Sequence, residues 1–225
     1  MRVCFPITIS FSKESVRFIV LIHIHIFEAA VELAPKRSKY PLLDLSYHNN
    51  LIRGAPSAGK RGRPDILHRC LLILQDSILN HLGKLKVSFS TYSDPETSYI
   101  VDPSMRPPRS YTRFMGLIAE LLRTGEIKSS LIRSTSTKEL LNDDVHTSLL
   151  SKSGEKIGLK GFFSRISITQ PQRFLIGGFQ KGSWEKPLPH DEVLSLSDYT
   201  LSSSQVAGIV ATLSALKLEG EDGPD

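Results

Sequence analysis

The sequence predicts an α/β fold built on a mostly parallel sheet, and three observations support that prediction. Residues 17–27 are β-branched and apolar on both faces, which is typical of a strand buried in a parallel sheet. Residues 64–77 carry apolar side chains at helical spacing, which indicates an amphipathic helix packed on that sheet. In the last third of the chain, short strands alternate with helical segments, as they do in α/β proteins.

The remaining elements follow from periodicity and from the placement of Gly, Pro and Ser. In the N-terminal half we predict a short helix at 28–34, a strand at 42–46, a polar loop at 47–63, strands at 84–90 and 98–102, and a helix at 110–124. In the C-terminal half we predict a helix at 137–142 with loops elsewhere in 125–160, strands at 164–169, 172–176 and 192–196, and a helix at 202–216. Ser202 and Gln205 match a capping box at the start of that last helix.

The length of 225 residues and the hydrophobic fraction of 40% fit one domain with a sizeable core. We assign residues 17–217 to this domain, residues 1–16 to an N-terminal extension, and residues 218–225 to an acidic tail that we expect to be disordered. The formal net charge is +5, and removing the four negative charges of residues 219–225 leaves +9 on the preceding chain. A body this basic favours a polyanionic partner.

The cysteine content favours a reducing compartment. Cys4 and Cys70 are too few for a disulfide framework and lack metal-ligand spacing, and we expect Cys70 to be a buried free thiol. The apolar run 18–27 is too short to span a bilayer, and charged residues interrupt any signal peptide. We therefore expect a cytoplasmic protein without a membrane partner. His23 and His25 share one side of the first strand, but no third ligand lies nearby in sequence, so we expect no metal site.

Cations crowd the start of the helix at 64–77. Asp65 suits a first helical turn, but Lys60, Arg61 and Arg63 lie where the helix dipole disfavours positive charge. A binding site for a nucleic-acid phosphate would require such cations. The alternative is a solvated basic loop that precedes an ordinary helix.

A second basic cluster precedes the helix at 110–124. Pro107 and Pro108 force an extended approach to this helix. Arg109 and Arg113, four residues apart, would share a face and repel each other, and an external polyanion would relieve that repulsion. The planar forks of arginine suit phosphate groups. The alternative is that the arginine stems only cover apolar surface.

Glycines follow one of the predicted strands in the C-terminal third. Three loops come after predicted strands, at 169–171, 177–182 and 197–203. The carboxyl ends of parallel strands are where α/β sheets bind ligands, and Gly177, Gly178 and Gly182 would let the backbone approach one. Their spacing matches neither the dinucleotide fingerprint nor the P-loop. From the residues alone, they could form either a tight turn or a cofactor site.

Five stretches, in this order, resemble the small-subunit rRNA pseudouridine N1-methyltransferases, the nucleolar essential-protein family of the SPOUT superfamily. The stretches are LLDLSYHNN (42–50), KRGRPDILHRCLL (60–72), RPPRSYTRFMGLIAELL (106–122), IGGFQKG (176–182) and LSLSDYTLSSS (194–204). The chain is most similar to the compact archaeal form. The resemblance implies an α/β knot with helices on both faces of the sheet and a C-terminal trefoil knot, S-adenosyl-L-methionine as cofactor, and a homodimer.

The resemblance also implies roles for individual residues. The cofactor-binding residues would be Thr169, Gly177, Gly178, Gly182, Leu196, Ser197, Asp198, Tyr199, Thr200 and Leu201. The RNA-binding residues would be Arg63, Asp65, Arg106, Arg109 and Arg113. Asp65 would hold the fork of Arg63 and is also a candidate general base, but no catalytic residue is otherwise assigned and no metal is implied. Ala207, Ala211 and Ala215 would line either a dimer interface or the sheet.

The implied reaction is methylation of N1 of a pseudouridine in a hairpin loop of small-subunit rRNA, during biogenesis of that subunit. Two alternatives stay open at this stage. One is an rRNA-binding assembly factor in which methylation is secondary or absent. The other is a SPOUT methyltransferase that acts on tRNA.

Overall fold

A computed structural model describes residues 22–127, 131–186 and 188–221. The predicted extension at 1–16, the first part of the strand at 17–27 and the end of the acidic tail lie outside the described residues. The strands are β1 (Ile22–Ala29), β2 (Leu85–Thr91), β3 (Thr97–Val101), β4 (Ile132–Ser136), β5 (His146–Lys156), β6 (Gln172–Gly177) and β7 (Glu192–Ser195). The helices are α1 (Leu45–Ile52), α2 (Pro64–Gln75), α3 (Ile78–His81), α4 (Tyr111–Thr124), α5 (Thr137–Leu141), α6 (Gly158–Arg165) and α7 (Ser203–Glu221), with a 3₁₀ turn at Ala58–Lys60.

The described strands form one sheet in the order β4-β3-β2-β1-β6-β5-β7. Strands β2, β1, β6, β5 and β7 run parallel to one another, whereas β3 pairs antiparallel with both β2 and β4. The parallel sheet predicted from sequence is confirmed for these five strands. Their carboxyl ends therefore meet along one edge of the molecule.

One face of the sheet carries most of the core. Ile22, Ile24 and Ile26 of β1 are buried in a cluster with the apolar stripe of α2 and with side chains of α4, α6 and α7. Cys70 lies in that stripe as a buried free thiol, as predicted, and burial raises its pKa to about 12. Full burial of each large aliphatic side chain here stabilises the fold by about 1.5–3 kcal/mol.

The opposite face carries a smaller cluster. Phe27, Leu149 and Leu175 pack there against side chains of the segment 178–193. The start of α5 also lies on this face, where Thr137 hydrogen-bonds to Ser98 of β3. Helical structure thus covers both faces, with most helices on the first.

The N-terminal half differs from the sequence prediction at two elements. Residues 28–34 are not helical, because β1 continues to Ala29 and the backbone N–H of Ala30 then donates to the carbonyl of Gly178. Residues 42–46 are not a strand, because the Asp44 carboxylate accepts from the backbone N–H of Ser46 and caps α1. Helix α1 therefore occupies the first part of the predicted loop at 47–63.

The middle of the chain holds two strands that the sequence analysis predicted as loops. Strand β4 pairs antiparallel with β3 at the edge of the sheet, and β5 pairs with both β6 and β7. The predicted strand at 164–169 is also wrong, because α6 runs to Arg165 and a serine turn at Ser167 follows it. The predicted helix at 137–142 is confirmed as α5.

Candidate functional site

A cleft of about 400 Å³ lies at the carboxyl ends of the parallel strands β1, β6 and β7. Its lining includes Phe27 near the end of β1. It also includes the last two residues of β6, Ile176 and Gly177, and the last two of β7, Leu194 and Ser195. In parallel α/β sheets this edge is the usual ligand site, because the loops that follow the strands converge there. Two of the three loops that the sequence analysis selected, 177–182 and 197–203, thus line the cleft, whereas 169–171 does not.

Most of the predicted cofactor residues line this cleft. The lining residues among them are Gly177, Gly182, Leu196, Ser197, Tyr199, Thr200 and Leu201. Three others do not line it. Thr169 lies in the serine turn after α6, Asp198 forms an ion pair with Lys156 at 2.6 Å, and Gly178 faces the sheet.

Glycine is required at 177 and 178 for different reasons. A Cβ at Gly177 would lie 2.7 Å from the ring of Phe179, which borders the cleft. A Cβ at Gly178 would lie 2.7 Å from the Cα of Ala29 and 2.9 Å from the side chain of Ile26, both on β1. Gly178 therefore permits close packing of the loop on β1, whereas Gly177 leaves room at the cleft.

The sequence analysis missed part of the cleft wall. Residues 151–153 of β5 line it, as do the aromatic rings of Phe27, Phe179 and Trp184. No local signal marks this wall, because its basis is a tertiary contact at Gly154, where a Cβ would lie 2.6 Å from the backbone of Val193. Such a close approach marks β5 as a bulged strand beside β7 rather than a loop.

A second cavity of about 310 Å³ adjoins the cleft. Arg63, Ile66 and Arg69 from the start of α2 line one side of it. Residues 202–204 at the start of α7 line another part. The cleft and this second cavity share Phe179, Gln180, Thr200, Leu201 and Ser203 as lining residues. The basic start of α2 therefore faces the same edge of the sheet as the cleft.

Asp65 holds the forks of two arginines. Arg63 donates to both carboxylate oxygens, at 2.7 and 2.9 Å, and Arg69 donates to Oδ2 at 2.5 Å. Burial alone would raise the pKa of Asp65, but the hydrogen bonds and charges of Arg63 and Arg69 outweigh it and hold that pKa below its ordinary value. A carboxylate stabilised in this way is a weak base.

The loop before α2 fixes the backbone of Arg63. Its N–H donates to the carbonyl of Ala30 at 2.9 Å, just beyond the end of β1. Gly62 precedes it with a φ of +63°, and a Cβ there would lie 2.3 Å from the Ile52 side chain. Only glycine fits this left-handed turn without displacing α1. The position of Arg63 relative to the sheet thus depends on β1 and α1.

The other predicted RNA-binding arginines lie at the start of α4. Arg106 donates to the carbonyls of Pro103 and Met105, so its guanidinium braces its own loop. Arg109 precedes the N-cap Ser110, and Arg113 lies on the first turn of α4. Both are exposed, and within the described ranges neither forms an ion pair. They are free to contact an external anion.

His68 joins the two basic segments. Its Nε2 lies 2.7 Å from the carbonyl of Pro108, next to Arg109. His68 lies on α2, one turn after Asp65. Its ring stacks on that of Phe114 of α4 at a centroid distance of 4.2 Å. The N-terminal ends of α2 and α4 are thereby held together, which places both arginine groups in one region of the surface.

The paired histidines of β1 belong to a buried hydrogen-bond network. His23 and His25 both contact the hydroxyl of Ser88, at 2.7 and 2.8 Å, and Arg173 donates to His23 at 3.0 Å. Burial, reinforced by Arg173 and Lys86, lowers the pKa of His25 to about 3. Within the described ranges, no three His, Cys, Asp or Glu side chains are placed to hold a metal ion. No described helix has the length and apolarity needed to cross a bilayer.

Comparison with known proteins assigns this chain to one family. The family model described as EMG1/NEP1 methyltransferase matches residues 22–213. The ribosomal RNA small subunit methyltransferase Nep1 of Thermococcus onnurineus is 32% identical over 197 residues, which cover 77% of this chain and 89% of that protein. The Thermococcus kodakarensis protein of the same name is 29% identical, with 87% and 98% covered. The Schizosaccharomyces pombe relative, mra1, is 31% identical, with 75% of this chain and 49% of that protein covered.

A solved structure shows the same fold. The crystal structure of Archaeoglobus fulgidus Nep1 bound to S-adenosylhomocysteine matches with a TM-score of 0.73 and 24% identity, covering 87% of this chain and 98% of that one. This likeness confirms the expected SPOUT-type α/β fold. The chain belongs to the EMG1/NEP1 methyltransferase family.

Proposed function

We propose that this chain transfers a methyl group from S-adenosyl-L-methionine to N1 of a pseudouridine in a hairpin loop of small-subunit rRNA. Membership of a methyltransferase family supports the reaction class. The observation that carries the proposal is that the cleft and the arginine-lined cavity share a wall. A cofactor in one and a base in the other would be neighbours. The buried free thiol of Cys70 fits a cytoplasmic site of action.

The cleft fits the cofactor in size and chemistry. Leu196, Leu201 and Ile176 offer apolar walls for an adenine ring, and the loop backbone offers polar edges. Trp184 also lines the cleft, and an indole ring is suited to a sulfonium cation. When bound, S-adenosyl-L-methionine supplies an electrophilic methyl group.

The arginine-lined cavity fits the substrate base. Pseudouridine carries a proton on N1, and its loss during methylation leaves negative charge on the ring oxygens. The guanidinium groups of Arg63 and Arg69 border this cavity and can donate to those oxygens or to the adjoining phosphates. Asp65 orients both forks. A base must leave its stack to enter the cavity, which favours a hairpin loop as the substrate.

The test is methylation of a hairpin carrying one pseudouridine. Purified protein and isotope-labelled cofactor are incubated with it, and the RNA is digested and analysed by mass spectrometry. We expect label on N1 of the pseudouridine and none on a hairpin with uridine at that position. Tight hairpin binding without label would instead favour an assembly factor, and preferential labelling of tRNA would favour a different SPOUT activity.

The exposed arginines at the start of α4 give a salt-dependence prediction. Arg109→Ala or Arg113→Ala should weaken hairpin binding and reduce the slope of log affinity against log salt by about one unit per lost phosphate contact. Binding of S-adenosylhomocysteine should not change. Arg123→Ala is the control, because Arg123 is exposed at the other end of α4. Fluorescence anisotropy at several salt concentrations measures the slope, and a slope equal to that of the wild type would remove these arginines from the interface.

We also propose a homodimer that forms through the outward face of α7. The alanine stripe expected at a dimer interface is buried inside the chain, since Ala207, Ala211 and Ala215 are at most 3% exposed. Of the two roles that the sequence analysis left open for these alanines, packing within the chain is therefore the correct one. A different face of α7 carries Leu213, which lines a groove together with Leu159, and Leu216 farther along α7 is 52% exposed. An apolar patch of this kind suits a second copy of the chain.

The dimer proposal is tested by analytical ultracentrifugation. The wild type should sediment as a dimer at micromolar concentration, and Leu216→Glu should shift it toward monomer, because a carboxylate would be desolvated in the interface. Leu51→Glu is a control of matched exposure, at 54%, on α1. A monomeric wild type, or a Leu216→Glu variant that dimerises as well as the wild type, would contradict the proposal.

A further inference from the structure

A β-bulge at the end of β1 redirects a buried carboxylate. Ile26 pairs with Phe89 and Ala29 pairs with Thr91, so β1 holds one more residue than β2 at this point. Within the bulge, Glu28 has a φ of +49°, a conformation that L residues other than Gly, Asn and Asp seldom adopt. Bulges re-aim side chains, and such strain persists where other contacts hold it in place.

The redirected carboxylate joins three segments. One oxygen of Glu28 forms an ion pair with Lys60, and the two side chains are 1% and 2% exposed. The other oxygen accepts the backbone N–H groups of Glu185 and Lys186, at 2.8 and 2.6 Å. Glu28 thereby holds β1, the loop before Arg63 and the segment after Trp184 in one arrangement.

The partner of Glu28 supports the wall between the two cavities. The Lys60 ammonium lies 3.8 Å from the centre of the Phe179 ring, within the range of a cation–π contact. Phe179 lines both the cleft and the arginine-lined cavity. Its carboxyl-side neighbours Gln180 and Lys181 also donate their backbone N–H groups to Gly59, next to Lys60. The ring is thus fixed from the same loop that leads to Arg63.

We propose that Glu28 and Lys60 are positioning residues, which hold the rings of Phe179 and Trp184 so that a cofactor in the cleft and a base beyond it lie in line for methyl transfer. This inference rests on the proposed function. A stabilising role alone explains the pair poorly, because a buried ion pair contributes about as much stability as apolar residues of the same volume. The strained Glu28 backbone adds a cost that a purely structural role would not require.

The test compares two charge-neutralised pairs. Lys60→Met with Glu28→Gln removes both charges and keeps an oxygen for the N–H groups of Glu185 and Lys186. The control pair is Arg173→Met with Asp143→Asn. These substitutions neutralise another ion pair whose cation is buried, and that ion pair lies near the amino ends of β5 and β6, away from the cleft. Thermal unfolding, affinity for S-adenosylhomocysteine and hairpin RNA, and single-turnover methyl transfer are measured for both.

We expect the Lys60/Glu28 double variant to unfold near the wild-type temperature and to bind hairpin RNA with unchanged affinity. Its affinity for S-adenosylhomocysteine and its transfer rate should each fall about tenfold, since the Phe179 ring loses its cation. The Arg173/Asp143 control variant should keep the wild-type affinity for S-adenosylhomocysteine and the wild-type transfer rate. A double variant with wild-type cofactor affinity and transfer rate would overturn the inference.

Phe179→Leu provides an independent check if the double variant fails to fold. It leaves the Glu28–Lys60 pair in place and should reproduce the losses of cofactor affinity and transfer rate. A Phe179→Leu variant whose affinity and rate equal those of the wild type would also overturn the inference. Failure of the proposed function looks different, because the wild type itself would then transfer no label to pseudouridine. In that case the affinity for S-adenosylhomocysteine still separates the two double variants.

Discussion

Replacing Arg63 with alanine should slow single-turnover methyl transfer about a hundredfold, the usual effect of removing one preorganised donor from a site of developing charge. Arg63 borders the arginine-lined cavity, and its fork is fixed by the two hydrogen bonds that it donates to Asp65. Alanine removes the donor and leaves Asp65 with Arg69 alone. Cofactor affinity should not change, because Arg63 does not line the cleft.

Variants of Asp65 separate orientation from base catalysis. If Asp65 only holds the forks, Asp65→Asn should retain much of the activity, because an amide oxygen still accepts from Arg63. Asp65→Ala should be no worse than Arg63→Ala, and the double variant should be little worse than either, since members of one network are not additive. Single-turnover rates on the pseudouridine hairpin decide this, with Arg123→Ala as a control for loss of an exposed cation.

The structure favours orientation over base catalysis. Both carboxylate oxygens of Asp65 accept from arginine, and the lowered pKa leaves little tendency to take a proton at neutral pH. Asp65 is also absent from the lining of both cavities, whereas Arg63 and Arg69 line one. An Asp65→Asn enzyme that binds RNA and cofactor normally but transfers no methyl group would reverse this assignment.

Elements with strong periodicity were predictable from the sequence. The stripes of α2 and α4 repeat over several turns, so the presence and approximate bounds of both helices follow from spacing alone. Strands β6 and β7 were found because short apolar runs end in glycine or serine loops. For these elements, local pattern and tertiary packing agree.

The errors occur where tertiary contacts override local preference. The sequence EAAVELA (28–34) has high helix propensity, yet strand hydrogen bonds and burial keep Ala29, Ala30 and Val31 extended. Strand β5 was predicted as a loop because its outer half is rich in Ser, Lys and Gly and lacks an apolar alternation. Its pairing with β7 depends on the close approach at Gly154, which no local pattern shows.

The candidate site was predictable in outline but not in orientation. Glycine and serine loops after strands identified the cleft, and misplaced cations identified the cavity beside it. Sequence could not show that Lys60, one of those cations, is buried against Glu28, because the bulge that turns Glu28 appears only in the pairing register. It also could not distinguish the two adjacent glycines of the cleft loop.

Those two glycines give the last prediction, in which the same substitution acts on different properties. Gly178→Ala should destabilise the fold by about 3 kcal/mol, because its Cβ would meet the Ala29 backbone, which cannot move without disturbing β1. Gly177→Ala should cost less stability, since its Cβ would meet the half-buried side chain of Phe179 and not the backbone of a strand.

The expected losses of cofactor affinity follow the reverse order. Gly177→Ala displaces a ring that borders the cleft, so its affinity for S-adenosylhomocysteine should fall at least tenfold, whereas folded Gly178→Ala should bind with an affinity closer to that of the wild type. Denaturant unfolding and titration calorimetry on both variants measure the two effects, and Gly116→Ala, at an open position on α4, controls for the added methyl group. If Gly178→Ala lost affinity at unchanged stability, Gly178 would contact the cofactor directly and the loop would have to turn the other way.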